Sequence, residues 1–299
     1  MSLPQRPTRL IAMMNQKGGV GKTTTTVNLA AAFARAGRPT LVVDLDPQAH
    51  ASLHLGVSVA EGESSVYDAL LDPQIAPERV LREVSENLWV LPSTTDLAAA
   101  EGELATAPER QKRLETFLNR LNGRFEFVMM DCPPSLGLLT LNGLGAGREV
   151  MIPMQAHFLA LQGVGKLLET ITLVRRSFNP KLRVSGVVLC MHDTSSTHTR
   201  EVVADLESFF EQARTQEVPW KFARVFRPAI RRNIKLAECP SFGQTIFQYA
   251  PLASGAEDYA ALAQTLLTEW DGMLAARGLE VPAAPEVVVR PVSGAETVA

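Results

Sequence analysis

Apolar residues along this chain fall in short unbroken runs, not in the every-other-residue alternation of a sheet with one wet face. The runs are "RLIAMMN" (9–15), "TLVVDLD" (40–46), "NLWVLPS" (87–93), "FEFVMMD" (125–131), "EVMIPM" (149–154) and "RVSGVVLCM" (183–191). Continuous hydrophobicity over so short a span predicts strands buried on both faces. Between them the periodicity predicts helices at 24–36, 109–121, 160–177 and 198–213, and a last one over "AEDYAALAQTLLTEWDGMLAA" (256–276). Strands interleaved with helices predict an α/β fold, a mostly parallel twisted sheet in one domain with helices on both faces. That domain is expected to span 9–278, after a short N-terminal extension (1–8). The end of the chain, 279–299, is rich in Pro, Ala and Val without helical period and is expected to be a disordered tail.

In such sheets ligands sit beyond the carboxyl ends of the strands. Three of the apolar runs end in or beside polar groups there: Asn15, Asp44 with Asp46, and Asp131. The first run leads into "QKGGVGKTT", where Gly21-Lys22-Thr23 supply the closing half of the phosphate-loop pattern G-x-x-x-x-G-K-[ST] and Gln16 stands at the opening glycine position. A buried strand before the loop and a helix after it aim backbone N–H groups at phosphates. Gly18, Gly19, Val20, Gly21, Lys22, Thr23 and Thr24 are therefore the expected nucleotide-binding residues. Lys22 is expected to neutralise the β- and γ-phosphates, and the Thr23 hydroxyl to hold Mg²⁺. A second lysine, Lys17, lies on the outer arc of the loop, where a side chain points away from its own nucleotide. It is either a solvated loop lysine or a cation supplied to a second protomer's nucleotide.

Composition narrows the partners. Lys and Arg total 29 against 32 Asp and Glu, a net charge of -3, so any DNA contact must come from a local patch. The segment "FARVFRPAIRRNIKLAE" offers one, with Arg224, Arg227, Arg231, Arg232 and Lys235 close together and few acids among them. From charge alone, a solvated face and a sequence-independent phosphate surface serve equally well. Cys132, Cys190 and Cys239 show no C-x-x-C spacing, which excludes a disulfide framework, a zinc knuckle and a redox pair and fits a reducing cytoplasm. Cys132, with no histidine partner nearby in the sequence, reads as a packed thiol. His50 and His54 stand four apart, as helical metal ligands would, but no third ligand is near and both read as exposed polar residues. The N-terminus reaches a polar loop too soon for a signal peptide, and no apolar run approaches the ~20 residues of a membrane span.

The stretch "KGGVGKTTTTVNLA" resembles the deviant Walker A motif of the ParA/MinD group of P-loop ATPases. "LVVDLDPQAHAS", "MMDCPPSLGLLTLNGL" and "IKLAECPSFGQTIFQYAP" are similar to motifs of its ParA/Soj branch, the chromosome and plasmid partition ATPases, and the similarity runs through about residues 8 to 270. The resemblance implies an ATP·Mg²⁺-dependent ATPase forming an ATP-sandwich homodimer, with Lys17 reaching the neighbour's nucleotide. It implies that Asp46 positions the attacking water, that Asp44 supports the magnesium shell, and that Asp131 is the Walker B carboxylate. It also implies nonspecific DNA binding in the ATP state, through Arg200, Arg231, Arg232 and Lys235. The implied partner is a ParB-like protein or a cargo adaptor, in the cytoplasm and on the nucleoid. Three departures stand out: Ala49 and His50 replace the family's usual Gly and Asn, and Ser195 replaces a frequent arginine. A MinD-like membrane role would need a basic amphipathic helix at the C-terminus, where this chain has one Arg, Arg290, and no Lys. An iron–sulfur role lacks a second suitable cysteine. A GTPase role lacks an N-K-x-D motif.

Overall fold

The computed structural model describes residues 7–121, 123–156, 158–193 and 197–281. Residues 1–6, Ser195 and most of the expected tail, from 282 on, lie outside the described residues. Eight strands form one sheet: β1 (Arg9–Met13), β2 (Thr40–Asp44), β3 (Arg82–Ser85), β4 (Leu88–Leu91), β5 (Phe127–Asp131), β6 (Glu149–Met154), β7 (Arg183–Leu189) and β8 (Arg224–Val225). Their spatial order is β3-β4-β2-β5-β1-β6-β7-β8. Only β3 runs antiparallel to its neighbour; every other pairing is parallel.

All six apolar runs contain strands, and three of these, β2, β5 and β6, are buried at every position. Two strands were not expected. β3 reads "REVS" with partly buried and exposed residues alternating, and β8 is two residues long. Neither carries the continuous apolar signature, because both lie at sheet edges where one side stays wet.

Side-chain alternation divides the central strand between two cores. Ile11 and Met13 pack with α1 (Lys22–Arg35) and the long helix Ser254–Ala275. Ala12 and Met14 face the opposite core, which includes Leu139 and Leu144 of the helix Leu138–Ala146 and Leu167 of Phe158–Ser177. Thr197–Ala213 is also helical as expected, whereas 109–121 divides into a short tight turn, Arg110–Lys112, and the helix Arg113–Asn119. No helix of the described residues is long and apolar enough to cross a membrane.

Buried ion pairs fasten the amino-terminal ends of the strands to the long helix. Arg38, 1% exposed, donates to Glu126 at 2.7 Å and to Asp271 at 2.7 Å, and the Trp270 indole shares the Glu126 oxygen at 3.0 Å. Arg9 bonds Glu149 at 2.9 Å and the Leu266 carbonyl at 3.2 Å. Removing one partner from such a pair strands a buried charge. Arg38→Ala is expected to lower unfolding free energy by about 3–5 kcal/mol in urea titration.

Candidate functional site

The register brings the carboxyl ends of the three central strands level: Met13 pairs with Asp131 across β1 and β5, and Asp44 pairs with Asp131 across β2 and β5. The loop after β1 opens above this edge. Asn15 pins it, donating to the Pro153 carbonyl at 2.8 Å and accepting the Lys17 amide at 3.0 Å. Gly21 ends the loop at φ 93° and caps α1 without a side-chain bond, so the first amides of the helix are left for a ligand. A Cβ at Gly21 would lie a tight 3.1 Å from Cys190 Sγ, and the left-handed backbone angle itself favours glycine. Lys22 is buried and its ammonium points back to the Lys17 carbonyl at 3.4 Å. Lys17, Gly18 and Gly19 are exposed, while Val20 is packed inside.

Beneath the loop, α1 is keyed to β5. The Thr23 hydroxyl donates to Asp131 Oδ2 at 2.7 Å, and Thr26 donates to Asp131 Oδ1 at 3.1 Å. Burial first, and then the Asp44 charge beside it, push the Asp131 carboxyl up to about 7. Burial also raises Asp44, to about 6, against hydrogen bonds from Ser52 and the Asp46 amide that favour its charged form. Two such carboxylates with an adjoining hydroxyl are hard oxygen donors in need of positive charge, a set that fits Mg²⁺ held by few protein ligands. Among the described residues no group of three or more His, Cys, Asp or Glu forms a separate metal cage.

Asp44 does not line the cleft. Its Oδ1 accepts the Asp46 amide at 3.1 Å, and its Oδ2 accepts both the amide and the hydroxyl of Ser52, at 2.8 and 2.7 Å. Asp46 does line the cleft and accepts the Gln48 amide at 3.0 Å in an Asx turn. Ala49 then takes φ 53°, a left-handed angle that disfavours a side chain by roughly 1–2 kcal/mol, to start α2 (His50–His54).

The cleft holds about 700 Å³ and runs from Gly18, Gly19, Gly21, Lys22, Thr23 and Thr24 to an apolar end at Met191, Ile230, Leu236 and Pro240. This volume lies in the usual range for a small-molecule site. The apolar end was not legible in the sequence, because its residues come from three separated segments. A turn at Cys239–Phe242 adjoins it, and the Ile246 amide that follows donates to Asn28 of α1 at 2.8 Å. Gly243 meets Gly56 backbone to backbone: a Cβ on Gly56 would lie 2.9 Å from the Gly243 carbonyl oxygen.

Two sequence expectations change here. His50 is exposed as expected, but His54 is 1% exposed and lies 3.4 Å from Cys239 Sγ, under that turn. Burial lowers its proton affinity to about 4, so it is neutral at physiological pH. The basic segment is also largely compensated. Arg224 pairs with Glu269, Arg227 with Glu207 at 2.8 Å, and Lys235 with Glu238 at 2.8 Å. Arg231 clasps Asp258 at 2.7 Å and Glu257 at 3.0 Å, tying its loop to the long helix. Arg232 is exposed with no ion-pair or hydrogen-bond partner of its side chain among the described residues. Arg200, exposed on another helix, bonds Thr197 Oγ1 at 3.1 Å. All three cysteines are buried, and burial pushes Cys190 and Cys239 to about 11 and Cys132 well above the ordinary thiol range, which leaves them unreactive.

A family model described as an AAA domain matches residues 8–184. The chain is 40% identical over 259 residues to the chromosome partitioning protein ParA of Myxococcus xanthus, covering 87% of this chain and 88% of that one. It is 42% identical to the chromosome-partitioning ATPase Soj of Thermus thermophilus, with 87% and 95% covered. Among solved structures, cobyrinic acid a,c-diamide synthase of Mycobacterium smegmatis with bound ATP analog and magnesium matches with a TM-score of 0.73 at 36% identity, over 92% of this chain and 99% of that one.

Both raised carboxyls bind protons in the fold that they release when unfolded, so their contribution favours the fold at low pH and is lost as pH rises from about 4 through about 7. Each contributes at most about 1.4 kcal/mol per pH unit. Urea unfolding in chelator should therefore show wild type losing stability relative to Asp131→Asn across this window; parallel profiles would refute the shift.

Proposed function

The chain belongs to the ParA/Soj family of chromosome-partitioning ATPases, and from that membership we propose that it is an ATP-driven dimer that holds DNA nonspecifically and releases it on hydrolysis. ATP would lie in the cleft, its phosphates on residues 18–24 and its base toward Met191 and Leu236. Lys22 would neutralise its own nucleotide's phosphates. Lys17, exposed on the outer arc, would reach the nucleotide of a second copy. Thr23 and Asp131 would hold Mg²⁺, whose charge offsets that of the phosphates. Asp44, engaged with the loop that carries Asp46, would support that shell from behind.

The observation that carries this reading is the meeting of the phosphate loop with Asp46 at one cleft. Asp46 would orient the attacking water. DNA phosphates would meet Arg232 first, with Lys235 and Arg200 as further contacts, while Arg231 chiefly braces the loop. The partner would be a ParB-like protein or an adaptor on another cargo, in the cytoplasm and on the nucleoid. The name of the solved relative points to ATP-driven amide formation as a second reading. Phosphate release with ATP and DNA alone, without a carboxylate acceptor, would argue against it.

Asp46→Ala should reduce phosphate release by at least about 100-fold while keeping an ATP-dependent dimer on a sizing column. A variant that still turns over removes Asp46 from the water-orienting role. Arg232→Glu should weaken ATP-dependent retention on nonspecific DNA by roughly 10-fold and flatten its salt dependence by about one unit of log-log slope, with ATP affinity unchanged. Unchanged retention would move the DNA surface elsewhere.

A further inference from the structure

The loop that carries Asp46 into the cleft is closed at both ends by one carboxylate. Asp44 takes the Asp46 amide on one oxygen and the Ser52 amide and hydroxyl on the other. The Ser52 oxygen in turn accepts the Ser93 amide at 3.0 Å, just beyond β4. Ser52 is 1% exposed and Ser93 3%, so the hydroxyl's donor and acceptor roles are both used away from water. α2 begins at Ala49 without a side-chain cap, and Ser52 is its third residue. Asp44 therefore serves from a distance as the acceptor that a capping side chain would supply.

We propose that Ser52 is a positioning residue for hydrolysis, fixing the Asp44 carboxylate and through it the backbone of Asp46. The proposal rests on the water-orienting role given to Asp46 above. Ser52 does not line the cleft and performs no chemistry itself. Its hydroxyl joins the Asp44 carboxylate to the Ser93 amide just beyond β4. Removing it leaves a buried carboxylate short of a donor and the buried Ser93 amide without its acceptor. The loop then settles into a different path, and a displacement of about 1 Å at an orienting group lowers turnover steeply.

The test uses the full chain carrying Ser52→Ala or Ser52→Thr, with Asp46→Ala as reference. Ser52→Ala should lower kcat about 10-fold or more and leave the affinity for a fluorescent ATP analogue within about twofold. Without nucleotide, hydrogen exchange at the Asp46 and Ser52 amides should speed up. Ser52→Thr, which restores the hydroxyl, should return both readouts toward wild type. If Ser52→Ala does not fold, Ser52→Cys keeps nearly the same volume with a weaker hydrogen bonder and should show the same two effects. Wild-type kcat in Ser52→Ala, or a lost kcat with unchanged exchange, overturns the proposal. An active Asp46→Ala would instead overturn the reading beneath it, so the two failures are distinguishable.

Discussion

Two carboxylates stand side by side, out of water, at the ends of adjacent parallel strands, and the architecture of the cleft is organised around that repulsion. Asp44 and Asp131 are register partners, at 0% and 1% exposure. A like charge at that spacing in a low dielectric favours protonation of one or both. The fold counters this with donors, not with distance. Thr23 and Thr26 reach Asp131 from the first turns of α1, while Ser52 and the Asp46 amide reach Asp44 from the following loop. The helix that follows the glycine-rich loop and the loop that presents Asp46 are therefore both indexed to one pair of acids.

The sheet has a division of labour between its ends. At the amino-terminal ends, Arg9 and Arg38 are closed within the molecule by Glu149, Glu126 and Asp271. At the carboxyl ends, the charges are only partly satisfied by their neighbours. Buried ion pairs of the first kind add little net stability, since desolvation offsets most of their attraction. Groups of the second kind can respond to a ligand's charge. The same residue types thus fasten the fold at one end and remain responsive at the other.

Much of this was legible in the sequence because it is local. The six buried strands announced themselves as continuous apolar runs, and the phosphate loop as glycines and a lysine at fixed spacing. What escaped detection depends on pairs far apart along the chain. The acids that neutralise Arg224, Arg227 and Arg231 come from other helices, 20 to 45 positions away, so the segment read as more basic than it is. His54 read as exposed because nothing in its neighbourhood reveals the turn at Cys239 that covers it. Asp44 read as a metal-shell residue by likeness of motif, and only the hydrogen bonds show how far it serves its own loop. β3 and β8 lacked the double-sided burial that marks the others.

The meeting of Gly56 with Gly243 has a mechanical meaning. One glycine follows α2 and the other ends the turn that succeeds Arg232 and Lys235, and both take left-handed angles, φ 70° and 61°. With no side chain on either, the two backbones meet directly, and a Cβ on either glycine would fall within 2.9 Å of the other's backbone. The arc that carries Asp46 and the arc that carries Arg232 thus lie next to a contact made by backbone alone, where neither of two distant parts of the chain has room for a side chain.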